Sequence, residues 1–148
     1  MATTARDEDR ATSTIVQTLD IIGDRWTLLI LRSAFRGVRR FSEIQRDLDI
    51  AKNLLADRLS RLVDNDILEK VQYQDRPARY EYHLTAKGRD LSPALVAFMH
   101  WGDRWCAGGD APTTLVHDAC GSALEHSVRC PSCKTEVDPT HIRSRENT

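Results

Sequence analysis

The chain has 148 residues, 41% of them hydrophobic and 29% charged, values typical of a globular protein. This length suffices for one full core, or for one domain with a small appendage. No apolar run approaches the roughly 20 residues that cross a membrane, and residues 1–10 lack the apolar centre of a signal peptide. We therefore expect a cytoplasmic protein with no membrane partner, whose residues 1–12 form a flexible tail.

The formal net charge of −1 is unevenly distributed. Residues 25–88 contain 13 Lys/Arg and 9 Asp/Glu, a net of +4, which leaves −5 on the flanks. Because phosphate contacts depend on where cations lie, a basic middle is compatible with a nucleic-acid partner. An ordinary solvated surface has a similar balance, so the charge alone does not establish one.

Two amphipathic helices are predicted in the first quarter of the chain. Their apolar positions are Ile15, Leu19 and Ile22 in the first, and Trp26, Leu29 and Ile30 in the second. Gly23 and Gly37 follow these stripes and are expected to end the helices. Arg39 and Arg40 then form an extended segment that we expect to pair with a later strand.

Two further helices joined by a tight turn are predicted next. Their apolar stripes are Phe41, Ile44 and Leu48, and then Leu55, Leu59 and Leu62. Ser42 and Gln45 have the S-x-x-Q spacing of a capping box, which would begin the first of these helices. Residues 49–51 form the turn. Strands are then predicted over 69–73 and 79–84, around a turn at 74–78.

This order of elements predicts a winged helix-turn-helix, a mainly α fold of the α+β class. The second helix, at about residues 51–63, would enter the major groove of DNA, because its face opposite the leucines is polar. The hairpin at 69–84 would be the wing, lying on the minor groove or the DNA backbone. A double-stranded operator, pseudo-palindromic for a dimeric reader, is the expected partner.

A long last helix is predicted to start at Thr85 as N-cap and to tolerate Pro93 in its first turns. Its apolar positions, more numerous than one small core requires, are Leu91, Leu95, Phe98, Met99, Trp101 and Trp105. All could pack within their own domain, but we favour a homodimer interface shared with the first helix. The predicted interface residues are Ile15, Leu19, Leu91, Leu95, Phe98, Trp101 and Trp105.

The composition changes after this helix. Residues 107–112, rich in Gly and ending in Pro, read as a linker. We therefore divide the chain into a DNA-binding and dimerisation domain at 13–106, the linker at 107–112, and a small Cys/His module at 113–148.

Several motifs together resemble the HxlR family of bacterial winged-helix transcription regulators, part of the MarR-like superfamily. They occur in the family's order at residues 22–32, 40–44, 55–59, 80–88 and 101–102. The resemblance spans about residues 13–105. It implies a homodimer built by the first and last helices, with the recognition helix and wing on DNA, and a response to electrophiles, oxidants or other signals.

Two positions depart from the family pattern. Many members carry a sensing cysteine just before the first helix, where this chain has Ser13, and no cysteine precedes Cys106. Serine supplies no thiolate at neutral pH, so the family's thiol switch is in doubt there. Ala51 stands where the family usually has Ser or Thr, which removes a hydroxyl from the start of the recognition helix.

The predicted DNA contacts lie on the second helix of the motif, before the first, and beside the wing tip. They are Arg39, Arg40, Ser42, Lys52, Asn53, Ala56, Asp57, Arg58, Ser60, Arg61, Arg76 and Arg79. Asn53 has the amide that pairs with adenine N6 and N7, and Lys52 can reach a phosphate or a guanine edge. Asp57 can accept from cytosine N4, or it can instead hold Arg58 or Arg61 in place.

Three of the four cysteines lie in the tail. His117, Cys120, Cys130 and Cys133 form an H-x2-C pair and a C-x2-C pair, a spacing that suits structural, tetrahedral Zn²⁺. His117 is the least certain ligand, since His126, His141 and Cys106 are also available. A disulfide such as Cys120–Cys130, a redox signal, or idle thiols in a disordered tail are the alternatives.

Other functions remain open at this point. A protein–protein adaptor could be built on a winged helix and a zinc ribbon. A zinc enzyme is less favoured, because four protein ligands leave no position for a water molecule, and no nucleophile motif occurs. We expect no catalytic residues. Trp26 and Trp101 are the candidate lining of a pocket for a small-molecule effector between the dimer helices.

Overall fold

The computed structural model describes residues 13–145 and residue 147, so the predicted tail at 1–12 lies outside the described residues. The fold is mixed α and β, with a two-stranded antiparallel sheet. The chain divides into two compact units, one ending at Ser92 and one beginning at Pro93. By this division most of the last helix belongs with the C-terminal residues.

Four helices of the first unit lie where the apolar stripes predict them. They are α1 (Thr14–Ile22), α2 (Arg25–Phe35), α3 (Phe41–Leu48) and α4 (Lys52–Asp64). Gly23 caps the C-terminus of α1, and Gly37, with φ of +83°, follows α2. Asp49 turns the chain between α3 and α4 in the left-handed region, with φ of +49°. An aspartate tolerates this conformation better than most residues, which permits the short turn.

The predicted capping box at Ser42 and Gln45 is wrong. Helix α3 begins two residues earlier, at Phe41, with Arg40 in place of Ser42 as N-cap. The Arg40 backbone N–H donates to the Glu43 carboxylate at 3.3 Å, and Gln45 Nε2 instead donates to the Ile50 carbonyl at 3.4 Å. The carboxylate accepts from the free N–H groups of the first turn, where negative charge also suits the helix dipole.

The core of the first unit is built mainly from the predicted stripes, together with Leu31 and Leu68, which belong to none of them. Its fully buried large side chains are Ile30, Leu31, Ile44, Leu55, Leu59, Leu62 and Leu68. The three leucines of α4 recur every three or four residues, so one face of that helix is wholly committed to the core. Its opposite face is thereby held towards solvent.

The wing is longer than predicted. Strand β1 covers Leu68–Asp75 and β2 covers Ala78–Leu84, paired from Leu68 with Leu84 to Asp75 with Ala78, so that only two residues form the turn. The Tyr82 N–H donates to the Arg39 carbonyl at 2.8 Å. This bond confirms that the segment before α3 pairs with the wing.

The long helix predicted from Thr85 is interrupted. Thr85 caps only the short helix α5 (Ala86–Arg89), accepting from the Gly88 N–H at 3.0 Å, and α6 covers Ser92–Trp105. In one continuous helix the N–H of residue 93 would bond to the carbonyl of residue 89. Proline has no such N–H and its ring would clash there, whereas at the second position of α6 it fits.

The second unit has little apolar interior. None of its described residues is buried, and Phe98, Trp101 and Trp105 on α6 are each more than 60% exposed. Beyond α6 the regular structure consists of two isolated antiparallel bridges and a 3₁₀ helix at Pro139–His141. Within the described residues, no helix has the length and apolar character that a membrane span requires.

Candidate nucleic-acid interface

Helix α4 presents an exposed polar face, as the sequence predicts. The exposed residues on it are Lys52, Asn53, Ala56, Asp57, Ser60 and Arg61. Ala51, at the N-cap, makes no side-chain bond to the first turn, so the N–H groups there lack the cap that a Ser or Thr at this position would supply. This end of the helix therefore offers two polar side chains and a positive dipole end.

Arg58 has a different environment from its neighbours on α4. Its Nε donates to Asp24 Oδ1 at 3.0 Å, and its Nη1 donates to Asp57. Asp24 is also the N-cap of α2, accepting from the N–H groups of Trp26 and Thr27 and from the Thr27 hydroxyl. Arg58 thus fastens α4 to the start of α2, and Asp57 holds Arg58 in place, the second of its two predicted roles.

This arrangement shifts the pKa of both partners. Burial acts to raise the pKa of Asp24, but hydrogen bonds from Thr27 and Arg58 outweigh it and hold that pKa below its usual value. The hydrogen bond to Asp24 raises the pKa of Arg58. Both shifts favour the charged pair, and the Arg58–Asp24 bond links α4 to the start of α2.

Asp24→Ala is expected to destabilise the protein by roughly 0.5–2 kcal/mol at neutral pH, because α2 loses its N-cap. Asp24→Asn is the matched control, since asparagine caps well but carries no charge for Arg58. Its cost should stay within about 0–1 kcal/mol. The native pKa of Asp24 is lowered, so the charge contribution is fully present above the unfolded value of about 4 and is lost as pH falls below that value through the lower native pKa. Urea unfolding across pH measures this, and equal losses for both variants would contradict it.

The wing adds a second basic surface. Arg76 and Arg79, at and beside its turn, are exposed. Arg40 lies over the Tyr73 ring at 4.3 Å and donates to Glu81 Oε1 at 3.1 Å. A hydrogen bond from His83, followed by that from Arg40, lowers the pKa of Glu81. The side chain of Arg40 is therefore bound to the wing although it is 47% exposed, and Arg39 and Ser42 beside α3 are exposed as well.

Lys70 is a wing cation that is not among the DNA contacts predicted from the sequence. Its ammonium lies over the Tyr80 ring at 4.4 Å on the exposed hairpin. The pairing of Gln72 with Tyr80 places Tyr80 diagonally across from Lys70. Residues two apart on one strand share a face, so the contact between Lys70 and Tyr80 can be inferred once the strand register is known.

Comparison with known proteins identifies this architecture. The family model described as HxlR-like helix-turn-helix matches residues 21–110, more than half of the chain. The chain belongs to the HxlR-like helix-turn-helix family. It is a DNA-binding transcription regulator and not an enzyme, as the sequence predicts.

Named relatives agree with this assignment. The chain is 41% identical over 125 residues to an uncharacterized HTH-type transcriptional regulator of Mycobacterium tuberculosis, Rv3095, covering 84% of this chain and 79% of the relative. It is 34% identical over 91 residues to the HTH-type transcriptional regulator YodB of Bacillus subtilis, covering 61% and 81%.

Solved structures show the same fold over different lengths. PA1607, a candidate transcription factor, superposes with a TM-score of 0.84 at 34% identity and covers 95% of this chain and 99% of its own. The reduced form of the redox regulator HypR has a TM-score of 0.59 at 30% identity and covers 66% of this chain and 99% of its own. The likeness to PA1607 therefore reaches into the C-terminal residues of this HxlR-like regulator.

The predicted metal ligands of the tail lie in two separate pairs. His117 Nδ1 is 3.3 Å from Cys120 Sγ, and the Cys133 N–H donates to Cys130 Sγ at 3.5 Å. Hydrogen bonds from Ser122 lower the pKa of Cys120, and those from the backbones of Cys133 and Ser132 lower that of Cys130. All four cysteines are free thiols. No group of three or more His, Cys, Asp or Glu is gathered at one point among the described residues.

The predicted interface and effector residues are distributed over both units. Ile15 and Leu19 on α1 are 62% and 53% exposed, and the exposed aromatic residues of α6 are Phe98, Trp101 and Trp105. Leu91 and Leu95 are half-buried. Of the two proposed effector-contacting residues, Trp26 is half-buried in the first unit and Trp101 is exposed in the second.

Proposed function

We propose that this regulator is a homodimeric repressor that reads a pseudo-palindromic operator in the cytoplasm of a bacterium. The observation that carries the proposal is the exposed polar face of α4. It is held towards solvent by three buried leucines and is anchored to α2 through Arg58 and Asp24. A recognition helix has to be rigid to discriminate base edges, and this one is fixed on two sides.

The proposed docking places the start of α4 in the major groove. Lys52 and Asn53 would meet base edges or phosphate there, with Ser60 further along the same face, while Asp57 holds Arg58. Arg76 and Arg79 would lie on the minor groove or the backbone, together with Lys70. Arg58 and Arg40, whose side chains are bound to acidic partners within the protein, would support this surface instead of contacting DNA.

The experiment that tests DNA reading is the selection of genomic fragments by the purified full chain, followed by binding at several salt concentrations. We expect a shared sequence to be enriched, and its affinity to fall steeply as salt rises, since phosphate contacts release counterions. The main alternative is a protein–protein adaptor. Binding without enrichment of any sequence, or none at low salt, would favour the adaptor and contradict our proposal.

The homodimer is supported by apolar side chains that one chain leaves uncovered. Five of them, on α1 and α6, are more than half exposed: Ile15, Leu19, Phe98, Trp101 and Trp105. Aromatic residues at helical spacing dominate the energetics of many interfaces, and a reader with two half-sites gains affinity from a second copy. We therefore propose that a second chain covers them.

Trp101→Glu is expected to convert the dimer to monomer and to weaken operator binding at least tenfold, because a buried unpaired charge is costly at an interface. Val128→Glu is the matched control. Val128 is also apolar and 62% exposed in the same unit but lies outside α6. Light scattering measures the mass. A monomeric wild type, or a Trp101→Glu dimer as stable as the control, would contradict the proposed interface.

The signal that releases the operator would enter away from the position of the family's sensing cysteine. Ser13 stands there and is the N-cap of α1. We propose a small-molecule effector that contacts Trp26 or Trp101, and quenching of tryptophan emission by candidate ligands tests it.

We further propose that residues 113–148 form a zinc-ribbon-like module with structural zinc as its cofactor. None of the described residues in 113–148 is buried. This supports the proposal, because small domains without a hydrophobic core usually need a metal or disulfides to hold them together.

A further inference from the structure

The tail contains one turn built twice, thirteen residues apart. In the first copy the His117 N–H donates to Ser122 O at 2.8 Å, and the Gly121 N–H to His117 O at 2.7 Å. In the second the Cys130 N–H donates to Thr135 O at 3.0 Å, and the Lys134 N–H to Cys130 O at 2.9 Å. The predicted ligands stand at the first and fourth positions of each copy.

The flanking backbone repeats as well. An antiparallel bridge joins Val116 to Ala123 around the first turn, and another joins Arg129 to Glu136 around the second. The fifth residue of each turn is left-handed, with φ of +70° at Gly121 and +61° at Lys134. A lysine there is uncommon and carries strain, which indicates that the turn requires this conformation.

The side chains within each turn are suited to the same ligand, a zinc ion. A tetrahedral zinc ion lies about 2.3 Å from sulfur and about 2.0–2.1 Å from nitrogen, which places the two ligand atoms about 3.5 Å apart. His117 Nδ1 and Cys120 Sγ are 3.3 Å apart. In the second turn Cys130 Sγ accepts from the Cys133 N–H at 3.5 Å, the kind of bond that stabilises a thiolate.

One competing candidate for the fourth ligand, His126, has another partner. His126 Nδ1 lies 2.7 Å from His100 Nδ1, and the two rings are 4.9 Å apart. That pair occupies His126 within the second unit. His117 already lies beside a cysteine in a turn that the second copy matches, so it is the better ligand.

We infer that the two matched turns are the two halves of one zinc site, with His117 Nδ1, Cys120, Cys130 and Cys133 as its ligands. The assignment rests on the proposal that the tail binds zinc. The two pairs are separate in the structure, so metal binding draws the turns together and supplies the cohesion that buried side chains do not. Four protein ligands give a closed, structural site.

The test measures zinc in the full chain purified under reducing conditions. We expect one zinc per chain in the wild type and near-complete loss in Cys120→Ser, Cys130→Ser and Cys133→Ser. Cys106→Ser is the matched control and should keep its zinc. His117→Ala should lose most of it, whereas His126→Ala should not. Cobalt-substituted protein should show tetrahedral absorption with thiolate charge transfer, weaker after the loss of any one thiol.

The outcomes separate the two proposals. A wild type without stoichiometric zinc, or with two thiols joined in a disulfide, overturns both. One zinc per chain that is lost in Cys106→Ser or His126→Ala overturns the ligand assignment alone. A second measurement covers variants that fail to fold. Chelation of wild-type zinc should make residues 113–148 sensitive to protease, and zinc but not magnesium should restore protection. Unchanged proteolysis would also overturn the site.

Discussion

Asn53→Ala lowers affinity for the selected operator by roughly 1–3 kcal/mol per half-site, or about 5- to 150-fold, and relaxes base preference at one position. Asn53 is the second residue of α4 and its side chain is exposed at the end that would enter the groove. An amide there can both donate and accept on one adenine edge. Binding to a panel of operators, each changed at one base pair, measures the effect.

Asn65→Ala is the matched control for this change. Asn65 is an asparagine at the other end of the same helix, and its Nδ2 donates to the Arg61 carbonyl at 2.8 Å, so its amide is occupied within the protein. It should leave base preference unchanged. If the Asn53→Ala variant bound every operator of the panel with the same affinity as the wild type, the proposed docking of α4 would be wrong.

A substitution in the wing is expected to change the affinity for DNA without changing base preference. Arg76→Ala should weaken binding to all sequences alike and reduce the slope of log affinity against log salt by about one per half-site, because one phosphate contact is lost. Arg143→Ala makes the same change in net charge in the exposed C-terminal residues and serves as control. An equal effect from both variants would show that the wing contributes only through net charge.

Gly88→Ala is expected to destabilise the protein by roughly 1–3 kcal/mol, although alanine is the better helix former. A Cβ at this position would lie 2.2 Å from the Ile67 carbonyl oxygen and 3.1 Å from Leu84 Cδ2. The oxygen cannot move aside easily, because it accepts from the Thr85 N–H at 3.1 Å. The clash would therefore disrupt the bond that holds α5 against the base of the wing.

Ala86→Gly is the control for Gly88→Ala, since it reverses the exchange within the same short helix at an exposed position. It should cost no more than about 1 kcal/mol, the propensity difference. Urea unfolding at one fixed protein concentration measures both, because a dimer's stability depends on concentration. A Gly88→Ala variant more stable than wild type would contradict the packing described for α5.

Local signals in the sequence were sufficient for most elements of the first unit. The leucine spacing of α4 predicts both its buried stripe and its exposed face, because a helix of 3.6 residues per turn determines which residues share a side. The family motifs extend the same information to function. The helix start at Phe41 and the break before Ser92 were missed, since capping and proline effects depend on the register of a single residue.

The roles of individual charged residues could not be read in the same way. Arg58 and Lys52 look alike in sequence, yet Arg58 is bound to Asp24, which lies 34 residues away, while Lys52 is exposed. Arg40 likewise finds Glu81 at a separation of 41 residues. Such pairs depend on which surfaces the fold brings together, so a pattern of residue types cannot distinguish a structural cation from one available to DNA.

By itself, the sequence determined the helix-turn-helix, the wing and the family, and it predicted the two His/Cys pairs of the tail as zinc ligands, because each depends on spacing along a few neighbouring residues. Only the tertiary structure decided that Arg58 anchors the recognition helix, that Gly88 has to lack a side chain, and that the two tail turns repeat one backbone. These three features depend on distances between residues remote in the chain or on backbone dihedral angles, and neither is contained in a local pattern.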